Sequence, residues 1–419
     1  MAPSVTEART AAGAVATPRA VTWQMWVPCV GMALCSWLSF VDRQVLAILS
    51  PTILADTGLT PQNFTDAASF FFLAYTLSNP VWGSVLDFVG LRLGMLLAVG
   101  IWTAASMSHA WMATFAGFAL ARAVLGFGEG ATFPGGLRTA VESLPVNLRA
   151  RGIALSFSGG TIGAVMMPLL LGPLAIKYGW RVAFLTTGGF GLMWLLIWTA
   201  IAREPFLPSA RHRPAKMMWP NFSERRVWAL IFSYALPAIS PGPILTITAL
   251  FLNQRLGLSQ AQVNQLVWIP PLTWGLGYFF WGWAADRYAA NNPRPVGMML
   301  LLTAVSVTFG LTTSTTSVPL AIALISLSTF IGGGFQMVAL KVGSYAFPRE
   351  QAAMMSGIAS GSWSLVNFVL LQVIGGWWLN WMRDRRWEEI FWLIAIMPAA
   401  GVAVWLVLSR EQKLAGSRA

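Results

Sequence analysis

The sequence predicts an all-α membrane protein of twelve transmembrane helices, arranged as two pseudo-symmetric six-helix bundles. Three observations carry this expectation. Of 419 residues, 56% are hydrophobic and only 10% charged, whereas a soluble domain carries about 25% charged residues. Mean hydropathy is +0.63, and 22 Trp with 25 Phe are more aromatic mass than a water-facing surface holds. The apolar residues also fall in twelve continuous runs, each near the roughly 20 helical residues that cross a ~30 Å hydrocarbon core. Barrel strands would be short and alternate polar with apolar; these runs are unbroken and rich in Leu, Ala and Gly. Finally, the two halves of the chain repeat one another.

The runs in order are Trp23–Leu54, Phe64–Leu86, Leu93–His109, Trp111–Leu137, Arg151–Pro173 and Arg181–Ala202, then Val227–Leu252, Gln260–Ala284, Val296–Leu311, Val318–Val342, Gln351–Trp378 and Ile390–Leu408. The first contains Cys29 and Cys35, spaced for neither a disulfide framework nor a zinc site, and read as small packing residues. It also contains Asp42 and Arg43. The fourth contains Arg122 and Glu129. The seventh is interrupted by Pro237, Pro241, Gly242 and Pro243 and the eighth by Pro270 and Pro271; such breaks are tolerated where they line a cavity or form a hinge. In the tenth, Gly332-Gly333-Gly334 precedes Gln336; without a following Lys-Ser/Thr the glycines read as close helix packing, not a phosphate loop. The eleventh carries a polar stripe of Ser356, Ser360, Ser362, Ser364, Asn367 and Gln372, which serves either as glue between helices or as binding surface.

The longest interruption, 203–226, divides the chain into a tail (1–22), a first bundle (23–202), a central loop, a second bundle (227–408) and a closing tail (409–419). Residues 1–20 lack the ordered basic, apolar and cleavage regions of a signal peptide. The formal net charge is +12, and it is explained by topology. With both termini cytoplasmic, nineteen Lys and Arg fall inside and six outside, as the positive-inside rule requires. No basic run interleaved with aromatics points to nucleic acid. His109 and His212 have no partner cluster, so no metal or other cofactor is expected. No nucleophile–base constellation suggests an enzyme.

Duplication shows in short matches. Gly58-Leu59-Thr60 recurs as Gly257-Leu258-Ser259, and Gly83 with Asp87 recurs as Gly282 with Asp286, both at an offset of 199. Gly152-Ile153-Ala154 recurs as Gly357-Ile358-Ala359, at 205. Parallel six-helix halves with a site between them near the midplane are a design of secondary transporters.

After the second run, Gly83-Ser84-Val85-Leu86-Asp87-Phe88-Val89-Gly90-Leu91-Arg92 resembles the signature loop of the major facilitator superfamily; Gly282 to Asp286-Arg287 is a degenerate copy. The resemblance implies a gating role for Gly83, Asp87, Gly90, Arg92, Asp286 and Arg287. Phe40-Val41-Asp42-Arg43 and Arg122-Ala123-Val124-Leu125-Gly126-Phe127-Gly128-Glu129, followed by Phe133-Pro134-Gly135-Gly136, resemble motifs of the anion:cation symporter family, which includes hexuronate and galactonate permeases. The likeness is strong over roughly 23–202 and holds in the second half by layout. It implies import of an organic anion with protons, or with sodium, across a bacterial inner membrane by a monomer.

The four buried-run charges support this independently. An ionisable side chain at membrane depth costs from ~2.5 kcal/mol upward. A spacing of seven puts Arg122 and Glu129 on nearly one helix face, ~10 Å apart. Arginines can grip a carboxylate bidentately, and carboxylates can exchange protons when burial and neighbouring arginines oppose one another. Arg43 and Arg122 are therefore the expected substrate holders, and Asp42 and Glu129 the coupling acids, unranked. The alternative is that Asp42–Arg122 or Arg43–Glu129 are fixed ion pairs holding the halves together. By the resemblance, Tyr75, Asn79 (where family members often have Gln) and Asn367 of Asn367-Phe368 are further substrate-binding candidates, with Gln336 beside them. The seventh run has no interior Lys or Arg, which counts against phosphate exchange and suggests one anionic group held by the first half. The neutral or apolar remainder would face the second half, where Trp268, Trp274, Phe279 and Trp363 either stack on it or pack the core. The competing readings are a Spinster-like lipid transporter, since those proteins share the Asp-Arg and Arg-x6-Glu features, and a transporter-like solute receptor.

Overall fold

The computed structural model describes residues 22–145, 148–207, 220–288, 292, 294–347, 349–375 and 386–410. Residues 1–21, residues 208–219 of the central loop, the end of the eleventh run to Trp378 and the tail beyond 410 lie outside the described residues, as does the Ser356 side chain.

Helices account for nearly all the described chain, with no strand among the described residues. In order they are α1 (Val27–Ile48), α2 (Ser50–Thr57), α3 (Pro61–Val89), α4 (Leu91–Ser108), α5 (Phe115–Glu129), α6 (Thr132–Ser143), α7 (Arg149–Tyr178) and α8 (Trp180–Ile201). The second half continues with α9 (Arg225–Tyr234), α10 (Pro241–Gln254), α11 (Gln260–Asn264), α12 (Ile269–Tyr288), α13 (Val296–Ser306), α14 (Val318–Ala346), α15 (Arg349–Gly375) and α16 (Trp387–Leu408). Every predicted run is met by helix, singly or as a broken pair. Among the described residues, eight helical stretches are long and apolar enough by themselves to cross a membrane. The remaining runs, carried by α3, α5 with α6, α12 and α15, are shorter or less apolar.

The repeat is legible in backbone detail. Gly58 and Gly257 both end a helix at positive φ, 70° and 71°, a conformation that costs glycine nothing. Each is followed by a capping box: Thr60 Oγ1 accepts from Asn63 N while Asn63 Oδ1 accepts from Thr60 N, and Ser259 and Gln262 do the same. Such reciprocal caps satisfy two of the donors a helix start leaves orphaned. Packing repeats as well. Within the halves α3 lies on α5 as α12 lies on α14, and between them α3 meets α15 as α12 meets α7. On α7, Gly159 and Gly163 bring that helix onto the Ala33 and Trp37 carbonyls of α1, where any Cβ would collide with backbone.

The two faces differ. On the face away from Trp26 and Leu408, one apolar cluster runs continuously through both halves, from Val41, Leu49 and Ile53 to Ile247, Phe251 and Phe391. Polar clasps reinforce it: Thr52 Oγ1 donates to Gln260 Oε1 at 2.9 Å, Gln260 Nε2 to the Ile48 carbonyl at 2.9 Å, and Gln372 Nε2 to Ser69 Oγ at 2.6 Å. Toward the face of Trp26 and Leu408 the apolar clusters separate, one around Trp102 and Trp198, others around Phe335 and Trp405 and around Leu230. A cavity of about 560 Å³ opens between them. The molecule is thus sealed on one side and open on the other.

Candidate functional site

Four helices, α1, α4, α5 and α8, share one buried polar cluster. In α1, Asp42 is 2% exposed and Arg43 lies on the next helical position; in α5, Arg122 is 3% exposed and Glu129 fully buried. Arg43 Nε donates to Glu129 Oε2 at 2.6 Å, and Ser39 Oγ, one turn before Arg43, donates to the same oxygen at 2.8 Å. The Arg43 guanidinium lies over Phe40, Phe71 and Tyr75, at 4.9, 5.0 and 4.8 Å from the ring centroids. Cation–π contact of this kind holds a desolvated guanidinium without consuming its N–H donors.

Asp42 points elsewhere. Its Oδ1 accepts from Ser106 Oγ of α4 at 2.7 Å, and Ser106 in turn lies 2.9 Å from Thr187 Oγ1 of α8. One turn beyond Ser106, His109 stacks on Phe184 at 4.8 Å with Nδ1 2.8 Å from the Ala105 carbonyl. Asp42 and Glu129 line neither the large cavity nor the smaller space beyond it. Arg43 lines the large one and, with Arg122, a smaller space of about 70 Å³ just beyond it. Arg122 Nε and Glu129 Oε1 are buried without a hydrogen-bond partner. Of the two fixed pairs envisaged from sequence, Arg43–Glu129 forms, and it joins α1 to α5 inside the first bundle instead of tying the halves together.

Of the other candidates, Tyr75 and Gln336 line the large cavity. Gln336 Oε1 accepts from Trp274 Nε1 at 3.0 Å and from the Tyr278 hydroxyl. Asn79 Nδ2 donates to the Tyr75 carbonyl and Asn367 Nδ2 to the Trp363 carbonyl, both at 2.8 Å. Both asparagines lie outside the two cavities, Asn367 fully buried against Gly242. Trp274, Phe279 and Trp363 reach the cavity; Trp268 instead donates to the Gln265 carbonyl.

The signature loop joins α3 to α4. Gly90 holds a positive φ of 88° between α3 and α4. Asp87 Oδ1 accepts from Arg138 Nη1 of α6 at 2.9 Å, and Asp286 Oδ1 from Lys341 Nζ of α14 at 2.9 Å. Arg92 reaches the Thr199 carbonyl at 3.5 Å, Arg287 is exposed, and a Cβ at Gly83 or Gly282 would meet open space. Arg138 and Lys341 were legible only as topology charges; their signal was a basic residue near the same end of the fourth and tenth runs.

The Major Facilitator Superfamily model matches residues 32–371 and 244–419. The chain belongs to that superfamily. It is accordingly a transporter and not an enzyme, and an integral membrane protein with the two-bundle facilitator fold. The hexuronate transporter of Escherichia coli K12 is 22% identical over 400 residues, covering 89% of this chain and 91% of that one. The galacturonate transporter of Dickeya chrysanthemi is 25% identical over 265 residues, 59% of this chain and 77% of the relative. The D-galactonate transporter of E. coli O6:H1 is 22% identical over 373 residues, 81% and 85%. Among solved structures, a bacterial homologue of the human lysosomal transporter Spinster, crystallised inward-facing and unoccupied, superposes with a TM-score of 0.75 at 16% identity over 93% of this chain and 98% of its own. That likeness is one of fold.

Proposed function

We propose that this facilitator imports a small organic anion with protons by alternating access, gripping one carboxylate with Arg43 and Arg122. The observation that carries the reading is the position of Arg43: its Nε is held by a buried glutamate while its guanidinium lines the cavity. The sugar-acid carriers among its relatives support an anionic cargo.

The chemistry is competition for one guanidinium. With Glu129 ionised, Arg43 is neutralised and grips an incoming carboxylate weakly. A proton on Glu129 removes that rival, and the five N–H donors of the guanidinium are free to fork onto the substrate. Anion and proton then load together, and the pair that loosens is the switch that lets the bundles rock. Arg122, its Nε unpartnered, supplies the second grip. This ranks Glu129 ahead of Asp42 as the acid that senses substrate; Asp42, bonded to Ser106 away from the cavity, sets the field behind it.

With residues 203–226 as the cytoplasmic central loop and both termini inside, the open face is the cytoplasmic one, and the state described is the one that releases cargo. Asp87 and Asp286 then act at the inner gate. The test is Glu129→Gln in proteoliposomes. Gradient-driven accumulation is lost while substrate counterflow, which needs no net proton movement, persists. Accumulation with unchanged pH dependence would remove Glu129 from the coupling role.

A further inference from the structure

We infer that the cargo is an aromatic monocarboxylate, in contrast to the polyhydroxylated sugar acids carried by the named relatives; this rests on the carboxylate reading above and sharpens it.

The two cavities carry charge of one sign. Among their lining residues, Arg43 and Arg122 are the charged side chains, and both belong to the first half. A second carboxylate on the cargo would have no cation to meet. One anionic group is what the site balances.

The collar comes next. Phe40, Arg43, Trp274 and Trp363 line both the inner space and the large cavity, so they form the passage between the two. A carboxylate held between the two arginines leaves the rest of its molecule in this passage. There it meets three aromatic planes: Phe40 and Trp274, 5.9 Å apart between ring centroids, and Trp363, packed edge-on against Phe72 at 5.9 Å. Offset and edge-to-face ring contacts favour a flat aromatic remainder beyond its area alone.

A sugar acid brings a hydroxyl on nearly every carbon, and each must find a partner or lose its hydrogen bonds to water on entry. Several of the cavity's polar groups are already engaged by protein. Gln336 Oε1 takes both Trp274 and Tyr278. Ser39 is given to Glu129, and Ser158 donates to the Leu155 carbonyl at 2.8 Å. The two asparagines that would read sugar hydroxyls are bonded to backbone outside the cavity. A site built to bond hydroxyls discriminates strongly for them, whereas an apolar one gains little from them.

The experiment is ligand binding to the purified full chain by thermal shift, which reports any ligand that prefers the folded state, followed by counterflow in proteoliposomes. The probes are phenylacetate, phthalate, D-glucuronate and D-galactonate. Phenylacetate is expected to stabilise and to exchange, with half-saturation at least tenfold below that of either sugar acid and of phthalate. Trp363→Ala is expected to raise its half-saturating concentration about tenfold, and Trp363→Phe, which keeps a ring, to leave it within threefold. Preference for glucuronate or galactonate would overturn the aromatic assignment while leaving carboxylate transport intact. Phthalate matching phenylacetate would overturn the single-charge argument. Folded protein that binds and exchanges none of the four would overturn both readings.

Discussion

The two halves share a scaffold and divide the work. Their loops turn on the same pair of left-handed glycines and the same capping boxes, and their helices pair in the same pattern. Yet the four intramembrane charges lie in the first half alone. At the offset of 199 that relates the loops, Asp42 and Arg43 correspond to Pro241 and Gly242. Where the first half places an acid and a base on a continuous helix, the second places a break: a 3-10 turn at Pro237–Ile239, with Ala238 at non-helical φ/ψ, interrupts the helix before α10. What the second half brings to the cavity is shape, in Trp274, Tyr278 and Trp363. Symmetric architecture therefore does not imply a symmetric site. A carrier of a singly charged molecule needs one charged wall and one that fits the remainder.

The comparison predicts its largest effect at Arg43. Arg43→Ala should abolish uptake, more than a hundredfold, and also destabilise the fold, because it strands the fully buried Glu129. Breaking a buried pair by removing one member costs about 3–5 kcal/mol, whereas replacing both by apolar residues is often neutral. Arg43→Met combined with Glu129→Leu should therefore recover thermal stability without recovering transport. If the double variant transported, charge in the first half would not be the basis of binding.

How much of this was legible in the sequence follows from what each feature depends on. The spans and the four charges were readable because an ionisable residue inside an apolar run is conspicuous on a one-dimensional trace. Their partners were not. Ser39, Ser106 and Thr187 look like ordinary small helix residues, and only the side-chain bonds that join α1 to α5, and α1 through α4 to α8, show which carboxylate each serves. The fourth run also reads as one helix, whereas the chain changes helix at Gly130-Ala131, between α5 and α6. Asn79 and Asn367 illustrate the opposite limit: motif position brought them to notice, but a helix face turned by one residue sends an amide to backbone instead of to the cavity.

A second-half position should show a smaller effect of a different kind. A Cβ on Gly242 would run into the Asn367 side-chain oxygen. Gly242→Ala should slow transport several-fold by stiffening the approach of α10 to α15, with binding by thermal shift little changed. Gly282→Ala, where a Cβ meets open space in this state, should leave thermal stability unaltered. Equal loss of ligand binding in Gly242→Ala and Arg43→Ala would erase the distinction between a wall that binds and a wall that moves.

The smallest stability effects are expected where the halves are most alike. Asp87 with Arg138, and Asp286 with Lys341, join the same helix ends in each half at the same 2.9 Å. The carboxylates are 52% and 83% exposed, and exposed pairs contribute about 0–1 kcal/mol. Asp87→Asn and Asp286→Asn should therefore shift the unfolding midpoint by no more than a degree or two. Their effect should appear in the rate of net uptake, because the proposed gate lies at this face, and the two should agree within about twofold. A much larger loss for Asp87→Asn would extend the asymmetry of the binding site to the gate. Equal effects would confine it to the midplane, where one half holds the charge.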